Sequence, residues 1–253
     1  MDLTDIDDPF LQASLRLHHG MRHHGPGSAE TTRLLLSLAG PLPPRPRVAD
    51  LGCGSGAATL VLAEETDAAE ITAVDIYEPF LGELRDAAAS AGIGDRIRTE
   101  ARSIDDLAYP DGAFDLVWSE GAAYNIGFDS ALRQWRRLLA PGGALVVTEC
   151  GWTTDRPAPQ AREFWDEMYP LRSTAENVAA ATAAGYTVEA VYLLPDRDWF
   201  DEYYTVLERR VAAIDPGDEA MVRAGAAQQR EIDLRRAHGG DYGYAGYVLR
   251  RRS

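Results

Sequence analysis

Two aspartates and three glycines stand where they can hold a small charged molecule. In Val48-Ala49-Asp50-Leu51-Gly52-Cys53-Gly54-Ser55-Gly56 a carboxylate closes an apolar run, and three glycines then alternate with small residues. Glycines at this spacing let the backbone turn tightly against a ligand, with the free N–H groups of the following helix start aimed at it. Asp75 closes the next apolar run, where the acid of a dinucleotide fingerprint takes a ribose. Residues 52–57 formally satisfy that fingerprint, G-x-G-x-x-A. Asp50 speaks against a pyrophosphate, because an anionic phosphate and an adjacent buried carboxylate repel each other, whereas an ammonium or sulfonium is attracted. Gly56 also shortens the spacing of the glycines.

A second group of reactive types follows a later apolar run. Trp118-Ser119-Glu120 and Tyr124-Asn125 fall where a strand is expected to end. Glu120 is the first candidate for a proton acceptor, or for orienting a cationic or hydroxyl partner. His24 is the second, because the leader must fold over the top of a sheet to close a site. Trp152, Trp165, Tyr169, Trp199, Tyr203 and Tyr204 are able to wall a pocket for a flat or apolar molecule. His18, His19, His23 and His24 cluster without the cysteines or carboxylates that would complete a ligand set, so no metal is expected.

The elements that position these residues follow from the pattern. From Arg47 onward, apolar runs alternate with amphipathic stretches through short connections, the signature of a doubly wound α/β sheet. Strands are expected at 47–51, 71–75, 97–101, 114–118 and 144–149, with helices at about 56–65 and 79–91 and another from a cap at Asp129 to Leu139. Residues 151–185 read as helical after a loop-rich entry, with a capping box at Ser173 and Glu176. A sixth strand covers 186–194. A long helical excursion from Asp198 to His238 then returns the chain to a final strand at 242–249, antiparallel to the rest, giving seven strands. Ahead of the sheet, 1–24 is an amphipathic leader with Phe10, Leu11, Leu15 and Leu17 on one face. Ser28 caps a helix over 29–38, and a proline-rich linker leads into the first strand. The expectation is a single domain, 1–253, with a cap at 1–44, a ligand-binding core at 45–150 and a capped second half at 151–253.

Composition sets limits on partners. The chain has 253 residues, 45% of them hydrophobic, enough for a sizeable core. Lysine and arginine total 25 against 40 acidic residues, a net charge of −15. That balance disfavours nucleic acid, whose phosphates need basic neutralisation. No window approaches the roughly 20 apolar residues of a membrane span. The acidic start lacks the basic and apolar regions of a signal peptide, and Cys53 and Cys150 suggest no disulfide framework, so a cytoplasmic location is expected.

Several ordered motifs together resemble one family. The 48–56 loop is similar to the first motif of class I S-adenosylmethionine-dependent methyltransferases. Pro110-Asp111-Gly112-Ala113-Phe114-Asp115-Leu116-Val117 and Leu139-Ala140-Pro141-Gly142-Gly143 resemble its fourth- and fifth-strand signatures. The resemblance is close over about 46–150. Gly25-Pro26-Gly27-Ser28 and the 118–127 segment resemble a bacterial small-molecule group within that family. The implied fold is the Rossmann-like methyltransferase fold with helical caps, and the implied cofactor is S-adenosylmethionine. The resemblance implies that Asp50, Gly52, Gly54 and Gly56 hold its methionine part and that Asp75 takes both ribose hydroxyls. Ile76 and Ser119 would complete the set. Where many relatives carry an Asp or Asn beside the adenine, this chain has Ser103 followed by Ile104.

The implied reaction is an in-line methyl displacement onto a small molecule, with Glu120 and His24 as catalytic candidates and Tyr124, Asn125, Tyr169 and Trp199 against the acceptor. The Asn-Pro-Pro-aromatic signature of amino-directed nucleic-acid methyltransferases is missing, since Ile126 follows Asn125. A dinucleotide-dependent oxidoreductase and a non-catalytic methyltransferase-like binding protein are the two competing readings. The caps are expected to lid the site, and pairing through them would give a homodimer.

Overall fold

A chain that alternates apolar strands with amphipathic helices can bury both faces of its strands only by winding helices around a sheet. In the computed structural model, which describes residues 8–68 and 70–252, the strands are β1 (Val48–Leu51), β2 (Ile71–Asp75), β3 (Ile97–Ala101), β4 (Phe114–Ser119), β5 (Leu139–Trp152), β6 (Arg172–Ser173), β7 (Tyr186–Leu193) and β8 (Tyr242–Arg251). They form one sheet in the order β3-β2-β1-β4-β5-β8-β7, with β6 pairing β5 off this path. The pairings from β3 through β5 are parallel, and β8 runs antiparallel to both β5 and β7. Adjacent residues such as Leu116 and Val117, or Leu145 and Val146, point to opposite faces, and all four are fully buried.

The helices are α1 (Pro9–His18), α2 (Ala29–Leu38), α3 (Ala57–Glu65), α4 (Glu78–Ser90), α5 (Phe128–Arg136), α6 (Pro159–Met168), α7 (Thr174–Ala183), α8 (Asp196–Trp199), α9 (Thr205–Ala212) and α10 (Glu219–His238). A π-helical turn at Phe200–Tyr204 joins α8 to α9. Several starts are capped as their residue types dictate. The Asp8 carboxylate accepts from the N–H groups of Phe10 and Leu11, and Ser28 Oγ accepts from Thr31 N at 3.1 Å. Ser173 and Glu176 close a capping box on α7. The acidic first seven residues of the leader lie outside the described residues.

The structure differs from the sequence reading in three places. Among the described residues the sheet has eight strands, because two residues of the 151–185 stretch expected to be helical, Arg172 and Ser173, pair with β5. Gly151 admits that pairing, since a Cβ there would lie 2.6 Å from the Arg172 carbonyl oxygen. The Pro141-Gly142-Gly143 turn belongs to an irregular β5 that runs on to Trp152, with a register shift opposite Phe114–Leu116 and Gly142 at φ +74°. At α5 the N-cap position is Gly127, and Asp129 lies in the first turn, where Arg172 pairs with it at 2.9 Å.

The caps share a core of their own. Leu17 and Met21 from the leader pack with Trp165, Trp199, Leu207 and Ile232 from the second half. Backbone bonds reinforce this, as where Gly27 N donates to the Asp198 carbonyl at 3.0 Å. Among the described residues no helix is long and apolar enough to cross a membrane.

Gly56, at the N-cap of α3, is the tightest point of the loop. It holds φ +86°, and a Cβ there would lie 2.2 Å from Leu84 Cδ1 on α4. Left-handed backbone costs a non-glycine residue about 1–2 kcal/mol and overpacking about 1–3. Gly56→Ala is therefore expected to lower stability by about 2–4 kcal/mol, read as a shift in the urea midpoint with an unchanged slope.

Candidate active site

Strand order reverses between β1 and β4, and in open α/β sheets ligands lie outside the carboxyl ends of the strands at such a point. The glycine loop leaves β1 there. Gly52 and Gly54 hold φ +75° and +54°, and the N–H groups of Gly52 and Cys53 both donate to the Val74 carbonyl, at 2.8 and 3.0 Å. A Cβ on Gly52 would lie 2.3 Å from Ala122 Cβ, and one on Gly54 2.8 Å from His24 Nδ1. The loop is thus held between the segment after β4 and the leader.

Two carboxylates flank this loop. Asp50 is 1% exposed, and its Oδ2 accepts from the Thr59 hydroxyl at 2.6 Å. Burial pushes its pKa up to about 7, with the negative charges of Glu120 and Asp75 adding to the rise and the Thr59 bond opposing it. Asp75 accepts from Gly54 N at Oδ2 and from Tyr77 N at Oδ1, each at 2.9 Å. Its pKa is raised by burial against the pull of those backbone donors.

A cavity of about 370 Å³ opens above the switch point. Asp50, Gly52, Gly54, Asp75 and Ile76 line one part of it, with Ser103 and Ile104 beyond them. Trp135 fixes that last pair from beneath, its Nε1 donating to the Ile104 carbonyl at 3.0 Å. On the other side the wall is Tyr124, Asn125 and Tyr169. The Tyr124 and Tyr169 rings stack at 5.1 Å with their planes 4° apart.

Glu120 and His24 both reach the cavity, in different conditions. Glu120 Oε1 accepts from Thr32 Oγ1 and Trp118 Nε1, both at 2.8 Å, so one oxygen clasps α2 to β4. Burial still raises its pKa over those two bonds. His24 Nε2 lies 3.2 Å from Ser55 Oγ, and its ring centroid is 4.0 Å from that of Phe80. Burial, with His18 next in size, lowers its pKa to about 3. The free imidazole is therefore neutral, and it wedges against the glycine loop between Ser55 and Phe80.

Three of the expected site residues lie off the cavity. Gly56 faces Leu84, as described above. Ser119 is fully buried, and its Oγ donates to the Leu51 carbonyl at 2.8 Å, tying β4 to β1. Trp199 is also fully buried, under the Arg235 guanidinium at 4.0 Å and against Tyr242 and Tyr244. In Ser119 and Trp199 a side chain at a strand end or in an aromatic run turned inward to satisfy packing. Of the other aromatics, Trp165 and Tyr203 line the cavity, whereas Trp152 and Tyr204 pack within the cap.

The histidine-rich turn, exposed or pocket-lining by its sequence, gives His18 and His23 to the wall. The sequence reading missed Ser14 and Arg22 of the leader, and Gln228 and Glu231 of α10. Burial lowers the pKa of His18 and His23. The α10 pair carried a faint signal, a polar residue and a carboxylate three apart on one helical face.

Residues 48–143 match the family described as methyltransferase domain. Over 136 residues the chain is 35% identical to 27-O-demethylrifamycin SV methyltransferase of Amycolatopsis mediterranei (strain S699), covering 52% of this chain and 50% of that protein. It is 38% identical over 104 residues to demethylmenaquinone methyltransferase of Thermus thermophilus, covering 41% and 46%. The chain carries a class I S-adenosylmethionine-dependent methyltransferase domain. The methyltransferase fold extends well past the matched segment. A solved S-adenosylmethionine-dependent methyltransferase from Geobacter sulfurreducens, in complex with S-adenosyl-L-homocysteine, superposes with a TM-score of 0.79 over 95% of this chain and 98% of its own, at 22% identity. In sequence, the chain spans about half the length of the two named relatives it matches.

The residues of this methyltransferase domain fit the cofactor that its family is named for. Asp50 is a buried carboxylate whose raised pKa has no cation among its causes, so a positive ligand group would supply its missing partner. Each Asp75 oxygen accepts one backbone N–H and keeps acceptor capacity for a hydroxyl. The glycine cradle leaves no room for a Cβ at Gly52 or Gly54.

Proposed function

We propose that this protein transfers a methyl group from S-adenosylmethionine to a small-molecule acceptor. The observation that carries the reading is the joining of the Asp50–Gly54 loop and Asp75 with the Tyr124–Tyr169 wall in one cavity. The cofactor supplies, when bound, a methyl already activated on sulfonium. Asp75 accepts the two ribose hydroxyls, Asp50 balances positive charge, and Ser103 and Ile104 take the adenine side. Gly52 and Gly54 let the loop backbone approach the methionine part, next to Ile76. The caps exclude water and hold the acceptor in line, which accounts for a large share of the rate when the leaving group is already activated.

Glu120 in this reading orients the acceptor, since one of its oxygens is already committed to Thr32 and Trp118. Tyr124, Asn125 and Tyr169 bound the acceptor. The two relatives named above are methyltransferases whose names specify small molecules, which supports an acceptor of that size. The reading extends to a cytoplasmic protein acting on neither nucleic acid nor membrane, organised as one domain over 1–253. Within it 1–44 is a cap, 45–150 the cofactor-binding core and 151–253 the capped second half. A homodimer would pair through the caps.

Calorimetry with S-adenosylhomocysteine, followed by incubation with a methyl-labelled donor and a metabolite extract, tests the proposal. The expected result is binding in the micromolar range and label in a product of low molecular mass. Binding without transfer to any extract would favour a non-catalytic binding protein. Binding of a nicotinamide dinucleotide in place of S-adenosylhomocysteine would favour the oxidoreductase.

A further inference from the structure

The cavity has two ends with different chemistry. Asp75 lies at the tip of β2, on one side of β1. Glu231, on α10, lies toward the other end, where its electrostatic neighbours include Cys150 in β5 and Tyr244 in β8. Tyr124 after β4 stands between, within reach of both Glu231 and Asp75. Three strand spacings separate β2 from β5, about 14 Å. One group at the β2 tip and another above β5 therefore meet different parts of what fills the cavity.

Glu231 stands among aromatic rings. Tyr204 Oη donates to its Oε1 at 2.7 Å. Tyr203 and Tyr244, 5% and 8% exposed, line the cavity with it, as does Trp165. Burial raises the Glu231 pKa, only the Tyr204 bond opposes this, and no arginine is among the causes. Nearby on the cavity wall, Gln228 Oε1, Asn125 Oδ1 and the Tyr169 hydroxyl are buried without a hydrogen-bond partner. Two of these three atoms are acceptors only. Five carboxylates line the cavity (Asp50, Asp75, Asp105, Glu120 and Glu231), and among the described residues Arg22 is the one arginine facing them. Such a wall repels a carboxylate or phosphate on the acceptor and attracts a donor-rich cation.

Resting on the methyltransferase reading above, we propose that the acceptor carries a protonated or quaternary amine, and that Glu231 with its ring of tyrosines anchors that group. A carboxylate paired with an ammonium makes a charge-assisted contact, and aromatic faces attract the same cation through their quadrupoles. Gln228 Oε1 and Asn125 Oδ1 accept the remaining N–H or hydroxyl donors of the ligand. Asp50 lies beside the glycine loop, Asp75 at the β2 tip and Asp105 next to Ser103 and Ile104, so Glu231 is the lining carboxylate that stands among the tyrosines. It anchors the amine, and Glu120, with one oxygen clasped by Thr32 and Trp118, orients the rest of the acceptor.

The test is calorimetry on the full chain, with and without saturating S-adenosylhomocysteine, using three probes of one shape. N-methylbenzylamine is the cation, benzyl methyl ether its uncharged isostere and phenylacetate the anion. The expected result is binding of the amine at least tenfold tighter than the ether, with phenylacetate weakest. Glu231→Gln keeps an acceptor for Tyr204 and is expected to reduce the amine preference below threefold while leaving S-adenosylhomocysteine affinity within twofold. Tyr204→Phe removes the hydroxyl but not the charge and is expected to keep the preference. Equal binding of amine and ether to the unaltered protein overturns the proposal without any variant being needed, and so does a preference that survives Glu231→Gln. Failure of S-adenosylhomocysteine to bind overturns the methyltransferase reading instead, and the amine-to-ether ratio measured without it still decides the role of Glu231.

Discussion

Asp75→Ala is expected to weaken S-adenosylhomocysteine binding by about 100-fold or more. A hydrogen bond to a charged group contributes about 1.5–3 kcal/mol, and the ribose offers two hydroxyls to this carboxylate, so about 3–6 kcal/mol is at stake. A tenfold change in affinity corresponds to about 1.4 kcal/mol. The variant also releases the N–H groups of Gly54 and Tyr77, which now end on the Asp75 oxygens, so the glycine loop loses its tie to the β2 tip. Asp75→Asn separates these contributions. It keeps one carbonyl acceptor but turns the other oxygen into a donor that faces a backbone N–H, and it is expected to fall between the wild type and alanine. Calorimetry reads the affinities, and thermal unfolding without ligand confirms that the variants remain folded. An Asp75→Ala protein that binds within threefold of the wild type would remove the ribose from this carboxylate.

The parts of the site that were legible in the sequence are those that backbone geometry forces. Gly52 and Gly54 could be read because a tight turn at φ +75° and +54° favours glycine, and Ala122 and His24 then close on the bare backbone. Asp50 and Asp75 could be read because a carboxylate closing an apolar strand has few reasons to be there except a ligand or a cap. Gly56 shows the limit of this logic. It sits in the same pattern, but its missing side chain makes room for Leu84 and not for a ligand.

Side-chain direction was much less legible. Ser119 and Glu120 are neighbours at one strand end, where the pleat sends one inward to the Leu51 carbonyl and the other toward the cavity. Trp199 and Tyr203 lie in one helical excursion, yet the π-helical turn between Phe200 and Tyr204 alters the angular spacing of the side chains that follow Trp199. Trp199 ends under Arg235, and Tyr203 on the cavity wall. The two-residue β6 and the role of α10 depend on contacts between segments far apart in sequence, which no local period encodes.

The second large effect concerns pH. Asp50 is expected to make S-adenosylmethionine binding weaken by roughly 100-fold between pH 8 and pH 5. With a pKa of about 7 in the free protein, this carboxylate is largely protonated at pH 5 and largely ionised at pH 8. A cationic ligand group favours the ionised form, so binding below pH 7 must expel a proton and affinity falls by up to about tenfold per pH unit. The same raised pKa acts on folding with its own sign. The folded chain holds the Asp50 proton over a range in which the unfolded chain has lost it, so this group's contribution is greatest below the ordinary aspartate pKa of 3.8 and is lost as pH rises through about 7. Glu149, pushed up to about 8 by burial, adds a stability change of the same sign. A stability profile alone therefore does not isolate Asp50. Ligand affinity removes Glu149, which does not line the cavity. An Asp50→Asn variant separates Asp50 from Asp75, Glu120 and Glu231, which do line it and whose pKa values are raised too. Asp50→Asn is expected to bind more weakly at pH 8 and to lose most of the slope between pH 8 and pH 5. An anionic pyrophosphate beside the same carboxylate would give the reverse, binding more tightly as Asp50 takes up its proton, so the sign of the slope tells a methyl donor from a dinucleotide.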